Sequence, residues 1–370
     1  MKSKVFVIGT FGYFNNQLDG QTVKTRNIFN LIKSKHNGDV TCIDTLLVKK
    51  KPWLLFSLLW KLVRCNKLVI LPCTNNLTIL FPVVFYLSKL FRYEIIHICI
   101  GGWQVEYFLG SDIKKPRLPQ ISGSQRAEII DERPIWTPHP HNMELNKKIK
   151  VIMPEMQTEV EELRKIGFSN IEFFPNFRIV NPAWKNIKKE VHSELRLVFM
   201  ARIMRMKGYD VIFEFANYAK KNSMEVVIDF YGQINKDDED EFISLLKCHP
   251  ENTNYCGYLA PDKITSTLMN YDMMMLPTHY FTESLPGTIL DSYIAGIPII
   301  ATKWKYATEF IEDGRTGFIV PFENGQDVFN QKLTSIYYDR EMLQSLKQNA
   351  QKEALKYSEE IAWHRLEKYL

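Results

Sequence analysis

Residues 271–300 read YDMMMLPTHYFTESLPGTILDSYIAGIPII, and an open parallel sheet is the fold that accommodates this order of patterns. Residues 273–276 form a short apolar run that stops at Pro277, as a buried parallel strand does where it leaves a sheet. A polar loop occupies 278–284. Then comes LPGTILDSYIAG, in which Ile289, Leu290, Tyr293 and Ile294 mark one helical face and Gly296 supplies the stop. IPIIAT opens the next strand, so thirty residues contain one βαβ unit.

Ligands of such sheets bind beyond the carboxyl ends of the strands. Glu283, Ser284, Leu285, Pro286, Gly287 and Thr288 fall in that position. Gly287 permits close backbone approach, and amides at a helix start attract phosphate. Asp291 stands eight residues after Glu283, one turn into the helix. A carboxylate before the helix and another inside it can grip two sets of hydroxyls with a phosphate between them. Equally, Glu283 can be an exposed loop residue and Asp291 a favourable first-turn acid. Spacing alone leaves both readings open.

At 370 residues, 45% of them apolar, the chain suits two well-packed domains. The six cysteines show no CxxC pair and several sit in apolar runs, so they read as buried thiols of a reducing compartment. The opening MKSKVFVIGTFG reads as a first strand and lacks the apolar core of a signal peptide, which points to a cytoplasmic location.

Charge is unevenly placed. Residues 1–190 hold 28 Lys/Arg against 16 Asp/Glu, whereas 191–370 hold 19 against 26. No zinc-finger spacing, RNP-like strand or recognition-type basic helix supports a nucleic-acid partner. Two apolar, basic-flanked segments, 49–64 and 77–92, point instead to an anionic membrane surface. Both are too short to span a bilayer, and Pro82 interrupts the second. Trp53 and Trp60 beside lysines suit a helix lying among headgroups; the second segment fits better as a helix packed on a sheet.

Alternation and punctuation give the remaining elements. In the first half, strands are expected at 4–9, 39–45, 67–72, 93–100, near 149–153 and at 171–174, with helices at 23–33, 52–64, 77–91 and 157–166. The proline-rich stretch 111–146 reads as irregular. His97 lies on the fourth of these runs, either as a hydrogen-bonded core histidine or as a group reaching a ligand. Glycines 9, 12 and 20 do not spell GxGxxG, so no dinucleotide site is assigned. His139 and His141 lack companions for a metal site. Residues 1–180 form the first domain, 181–194 the linker, 195–356 the second domain, and 357–370 a closing amphipathic helix. In the second domain, the acid run 237–241 reads as a charged loop opening a helix.

ARIMRMKG (201–208) is the second basic signal. Arg202 ends a strand and Lys207 precedes Gly208 and a helix; a fork-shaped donor and a mobile ammonium suit a pyrophosphate, although a surface basic loop has the same composition. Combined with Gly287-Thr288 and a carboxylate beside a sugar-sized gap, these residues argue for a nucleotide-activated sugar.

On Arg202 with Lys207-Gly208, Gly232, Asp272 with Leu276-Pro277, Glu283 through Asp291, AGIPIIAT (295–302), and Glu309 with DGRTGFIVP (313–321), the chain resembles the retaining glycosyltransferases of family four. The likeness covers nearly all of 195–325 and is looser over 1–190, where it rests on the first strand and a glycine loop containing Gly20. It implies an α/β GT-B architecture, two doubly wound Rossmann-like domains facing across a cleft, the first taking the acceptor and the second the nucleotide sugar. It implies that Glu283 holds donor-sugar hydroxyls and that Asp291, one methylene shorter than the usual glutamate, grips the ribose. Arg202 and Lys207 would neutralise the leaving diphosphate with the amides near Gly287 and Thr288, and His97 is the nearest candidate for the family's histidine beside the donor sugar. No obligatory metal or other cofactor is implied. A UDP- or GDP-sugar donor, a lipid-linked or oligosaccharide acceptor, and work in capsule, exopolysaccharide or lipopolysaccharide synthesis at the inner face of the membrane follow. The rival reading is a non-catalytic nucleotide-sugar or glycan-binding subunit on the same scaffold.

Overall fold

The computed structural model describes residues 4–14, 20–110, 137–179, 192–249, 251–281 and 283–370. Two compact units emerge: one takes in the described residues of 1–113, 134–179 and 357–370, the other those of 180–356.

The first unit is built on a five-stranded parallel sheet. Its strands β1 (Val5–Gly9), β2 (Val40–Asp44), β3 (Lys67–Leu71), β4 (Glu94–Ile98) and β5 (Val151–Met153) lie in the order β2-β1-β3-β4-β5. The strands read as nearly unbroken apolar runs because helices cover both faces. Phe6, Ile8, Leu68 and Ile70 pack toward Leu58 and Leu62 of the helix Leu54–Arg64 and Phe81 and Phe85 of the helix Phe81–Phe91. The alternate residues Val5, Val7, Val69 and Ile96 pack toward Ile28 and Ile32 of the helix Gly20–Lys35 and Ala362 and Leu366 of the helix Glu359–Leu366.

Sequence expectations are corrected here at three places. The expected helix 77–91 forms as the π-turn Asn76–Leu80 followed by the helix Phe81–Phe91, with Pro82 in its first turn, where a proline is tolerated. Within the stretch expected to be irregular, Pro140–Asn146 is a helix, since proline is tolerated in a first turn; residues 111–136 lie outside the described residues, as does the expected linker up to 191. No strand forms at 171–174, where Ile171 makes a single bridge to Ile152. Of the cysteines, Cys65 and Cys99 are buried, whereas Cys248 and Cys256 are exposed.

The second unit holds a six-stranded parallel sheet of β6 (Leu195–Met200), β7 (Val226–Tyr231), β8 (Thr253–Tyr255), β9 (Met273–Leu276), β10 (Ile299–Thr302) and β11 (Gly317–Val320). Their order is β11-β10-β9-β6-β7-β8. The chain winds outward from β6 to β8, then returns to β9 on the other side of β6 and winds the opposite way. β6 and β9 therefore flank the topological switch point, where the loops leaving the two strands diverge and leave a crevice. Phe199, Phe213, Phe230 and Phe242 make up an aromatic centre of this unit's core. Asp272 works at the opposite, amino end of β9: it accepts from the Arg196 amide at 2.9 Å and pairs with Lys347 at 2.6 Å.

Candidate functional site

The loops after β6 and β9 meet at the switch point. Gly208 closes the basic loop with φ +86°, and a Cβ there would lie 1.9 Å from the carbonyl oxygen of Pro277, at the end of β9. Only glycine permits this approach, which seats the loop 202–208 directly on the next loop of the site. Gly232, after β7, is pressed as closely on Ala201, with the added Cβ 1.8 Å from its carbonyl oxygen. Two further contacts tie the loops: the His279 amide donates to the Met206 carbonyl at 2.9 Å, and Lys207 Nζ stands 5.0 Å from the centre of the Tyr280 ring.

Lys207 and Glu283 form a direct ion pair, with 19% and 15% of their side chains exposed. Arg202 is exposed and makes no ion pair with a described residue. The helix Gly287–Ala295 begins beside them with Pro286 at its N-cap and no capping side chain, so its first amides point outward without a side-chain acceptor. Thr288 Oγ1 donates to the Met200 carbonyl at 2.7 Å, fastening this helix start to the end of β6. Leu285 is buried under the loop, Ser284 is half-buried, and Asp291 is buried one turn into the helix. Arg202, Lys207, Gly232, Glu283 and residues 284–288 are thus gathered at the carboxyl ends of β6, β7 and β9.

The same place contains a group that sequence reading missed. Asp210, in the first turn after Gly208, takes His279 Nε2 at 3.0 Å and Arg205 at 3.4 Å. Burial opposes its ionisation, but the hydrogen bond and charge of His279 and the charge of Arg205 outweigh burial and hold its carboxyl below the usual range. This buried cluster fixes the loop carrying Tyr280 and Glu283 to the helix Tyr209–Lys221. A histidine directly after the strand-ending Pro277-Thr278 was the available signal.

His97 and Gly20 belong to the first unit. His97 is fully buried in β4, its Nδ1 at 2.7 Å from Asn146 Oδ1 and its ring 6.0 Å from that of Phe81. Burial pushes its pKa down to about 4, against the Asn146 hydrogen bond that favours the charged form. Its geometry is that of the hydrogen-bonded core histidine, one of the two readings open from sequence. Gly20 opens the helix Gly20–Lys35, and a Cβ there would meet nothing within 4 Å. The carboxyl ends of β4 and β5 hold instead a buried pair, Lys24 and Glu155, with Lys24 Nζ also 2.9 Å from the Cys99 carbonyl and Glu155 accepting from the Gly101 amide at 3.2 Å. Among the described residues no group of three His, Cys, Asp or Glu could hold a metal ion.

Comparison with known proteins finds glycosyltransferases among the relatives of this chain. Residues 180–353, a little under half of the chain, match the family of glycosyl transferases group 1. The N,N'-diacetylbacillosaminyl-diphospho-undecaprenol alpha-1,3-N-acetylgalactosaminyltransferase of Campylobacter jejuni is 23% identical over 202 residues, 54% of this chain and 50% of that one. The poly(ribitol-phosphate) alpha-N-acetylglucosaminyltransferase of Staphylococcus aureus is 22% identical over 272 residues, 72% of this chain and 52% of that one. The chain therefore spans about half the length of these curated relatives. Among solved structures, Anabaena HepE in complex with UDP superposes with a TM-score of 0.70 at 12% identity, over 99% of this chain and 98% of that one. The likeness to solved structures gives the chain the GT-B fold.

Proposed function

We propose that the chain is a retaining glycosyltransferase of family four that moves a sugar from a UDP- or GDP-sugar to a hydroxyl of a saccharide acceptor. The acceptor is lipid-linked and presented to the first unit, and the product enters capsule, exopolysaccharide or lipopolysaccharide synthesis at the inner face of the cell membrane. One observation carries the donor chemistry: Lys207, Glu283 and an uncapped helix start meet at the switch point of the sheet that matches the group 1 family. Two relatives support the setting by name, one acting on a diphospho-undecaprenol sugar and one a capsular polysaccharide biosynthesis glycosyltransferase of Staphylococcus aureus.

The chemistry follows from charge. The bond from the anomeric carbon to the diphosphate oxygen breaks, and negative charge grows on the departing phosphate. Lys207 and the amides of Gly287 and Thr288 are held in place before that charge appears, with Arg202 beside them, so they stabilise the transition state more than the ground state. Lys207 now answers Glu283; a diphosphate offers it a second anion and frees the Glu283 carboxylate to accept from sugar hydroxyls. Asp291 takes the ribose. The acceptor oxygen attacks from the face that the diphosphate leaves, which retains configuration, and its proton passes to the departing phosphate oxygen. His97, buried in β4, has no step in this scheme.

A panel of UDP- and GDP-sugars scored by thermal stabilisation tests the reading. One member should raise the melting temperature in a concentration-dependent way, and that same compound should be slowly hydrolysed without acceptor. Stabilisation without hydrolysis or transfer would leave a binding subunit, and no stabilisation by any member would reject the donor site.

A further inference from the structure

We propose that the helices Leu54–Arg64 and Phe81–Phe91, with the π-turn Asn76–Leu80 that leads into the second, form a two-helix platform that docks on an anionic lipid bilayer. The platform lies in the first unit, so the inference goes beyond the donor chemistry and does not depend on it.

Both helices pack on the same face of the β1–β5 sheet and touch each other. Each buries one stripe, Leu58 and Leu62 in the first and Phe81, Val84, Phe85 and Ser88 in the second. The opposite stripes are apolar as well. In the first helix Phe56 is 80% and Trp60 59% exposed; along the π-turn and the second helix, Ile79 is 72% and Leu90 69% exposed, with Val83 and Tyr86 between them. Spacings of four, three and four residues put these last four on one helical line. A helix that is apolar all round needs cover on two sides, and the sheet supplies one. Half of the twenty large apolar side chains exposed among the described residues fall within 53–90, which makes this a contiguous patch rather than ordinary scatter.

The charge around the patch selects its partner. From residue 45 to residue 93 there is no Asp or Glu, while there are eight Lys and Arg. Several of these cations rest on aromatic rings: Arg64 lies 3.6 Å from the Trp60 ring centre, Lys51 5.9 Å from that of Trp53, and Lys89 4.9 Å from that of Phe85. Tryptophan and tyrosine beside snorkelling cations match the headgroup layer, where one end of a ring is wet and the other is not. A second copy of the same face would set cation against cation. No helix of the described residues is long and apolar enough to cross a membrane, so these helices would lie in its plane.

The test is co-sedimentation of the full chain with vesicles of phosphatidylcholine, with or without phosphatidylglycerol, in the absence of any nucleotide sugar. Binding to the anionic vesicles should be about tenfold tighter or more, and salt should weaken it. Phe56→Ser/Trp60→Ser and, separately, Val83→Ser/Leu90→Ser should each weaken it about tenfold. All four positions are exposed, so melting temperature should hold and serves as the folding control. Equal binding to both vesicle types at low salt overturns the proposal. So does a Val83→Ser/Leu90→Ser variant that binds like the parent, because contact would then need only the first helix. A parent that is dimeric by sedimentation velocity, binds no vesicles and turns monomeric with these substitutions overturns it in favour of a second copy. Failure of sugar transfer alone would refute the enzymatic reading and leave this one standing.

Discussion

Each of the two sheets carries a lysine–glutamate pair at its carboxyl ends, and the pairs differ in their access to water. Lys24 and Glu155 in the first unit are sealed, with 1% and 3% of their side chains exposed, and each makes one further hydrogen bond, to backbone groups of Cys99 and Gly101. Lys207 and Glu283 in the second unit keep 19% and 15% of their side chains in solvent, beside the exposed Arg202 and an uncapped helix start. Like chemistry therefore serves opposite ends. A sealed pair cannot exchange partners without leaving a bare charge in a medium that solvates it poorly, so it acts as a fixed clamp. A half-open pair can exchange one anion for another while water covers the interval, as a binding site requires.

The largest effect should come from breaking the sealed pair. Lys24→Met is expected to cost roughly 3–5 kcal/mol of stability in urea unfolding, because it strands Glu155. Lys24→Met/Glu155→Leu should regain most of that, and a single variant that loses under about 1 kcal/mol would mean that the pair is no clamp. At the open pair the effect should appear in rate: Arg202→Ala and Lys207→Ala should each lower turnover about 10²-fold or more. Arg202→Ala should leave the melting temperature near that of the parent, and parental turnover in both variants would remove these residues from the proposed chemistry.

A third contrast uses pH. The folded pKa of His97, about 4, lies below its usual 6.5, so on acidification the unfolded chain takes up the proton first. Its contribution is fully present above about pH 6.5 and is lost as pH falls toward 4, by about 3 kcal/mol in all. His97→Gln should flatten that part of the stability curve; an unchanged slope would assign it to other groups. The smallest change expected is at Thr288→Val, which removes the bond to Met200 and should cost about 1 kcal/mol, with a rise in KM for the donor if the helix start binds it.

Much of the architecture is legible locally. The run expected at 273–276 is β9 to the residue, and the helix expected after Gly208 is Tyr209–Lys221, because apolar periodicity and a flanking Pro or Gly mark one end of each. The basic loop and the Gly287 helix start were readable as separate pieces for the same reason. That they meet around one diphosphate was read from their chemistry; the strand order that brings them together, β9 returning beside β6, was not, because it is a property of the whole sheet. The buried clusters were hidden more deeply: His279 and Asp210 are 69 residues apart, and Lys24 and Glu155 are 131 apart. Composition near either partner gives no sign of such a match.

The helix Glu359–Leu366 places Ala362 and Leu366 in the core beside Val5, Val7 and Ile28, and Arg365 donates to the Phe173 carbonyl at 2.8 Å. During synthesis the β1–β5 sheet therefore leaves the ribosome with part of its lining still to come, while the β6–β11 sheet already has its own core residues. The unit encoded second is the first that can reach its final form, and the earlier one must wait with an apolar gap for a factor that shields it or for residues 359–366 to emerge.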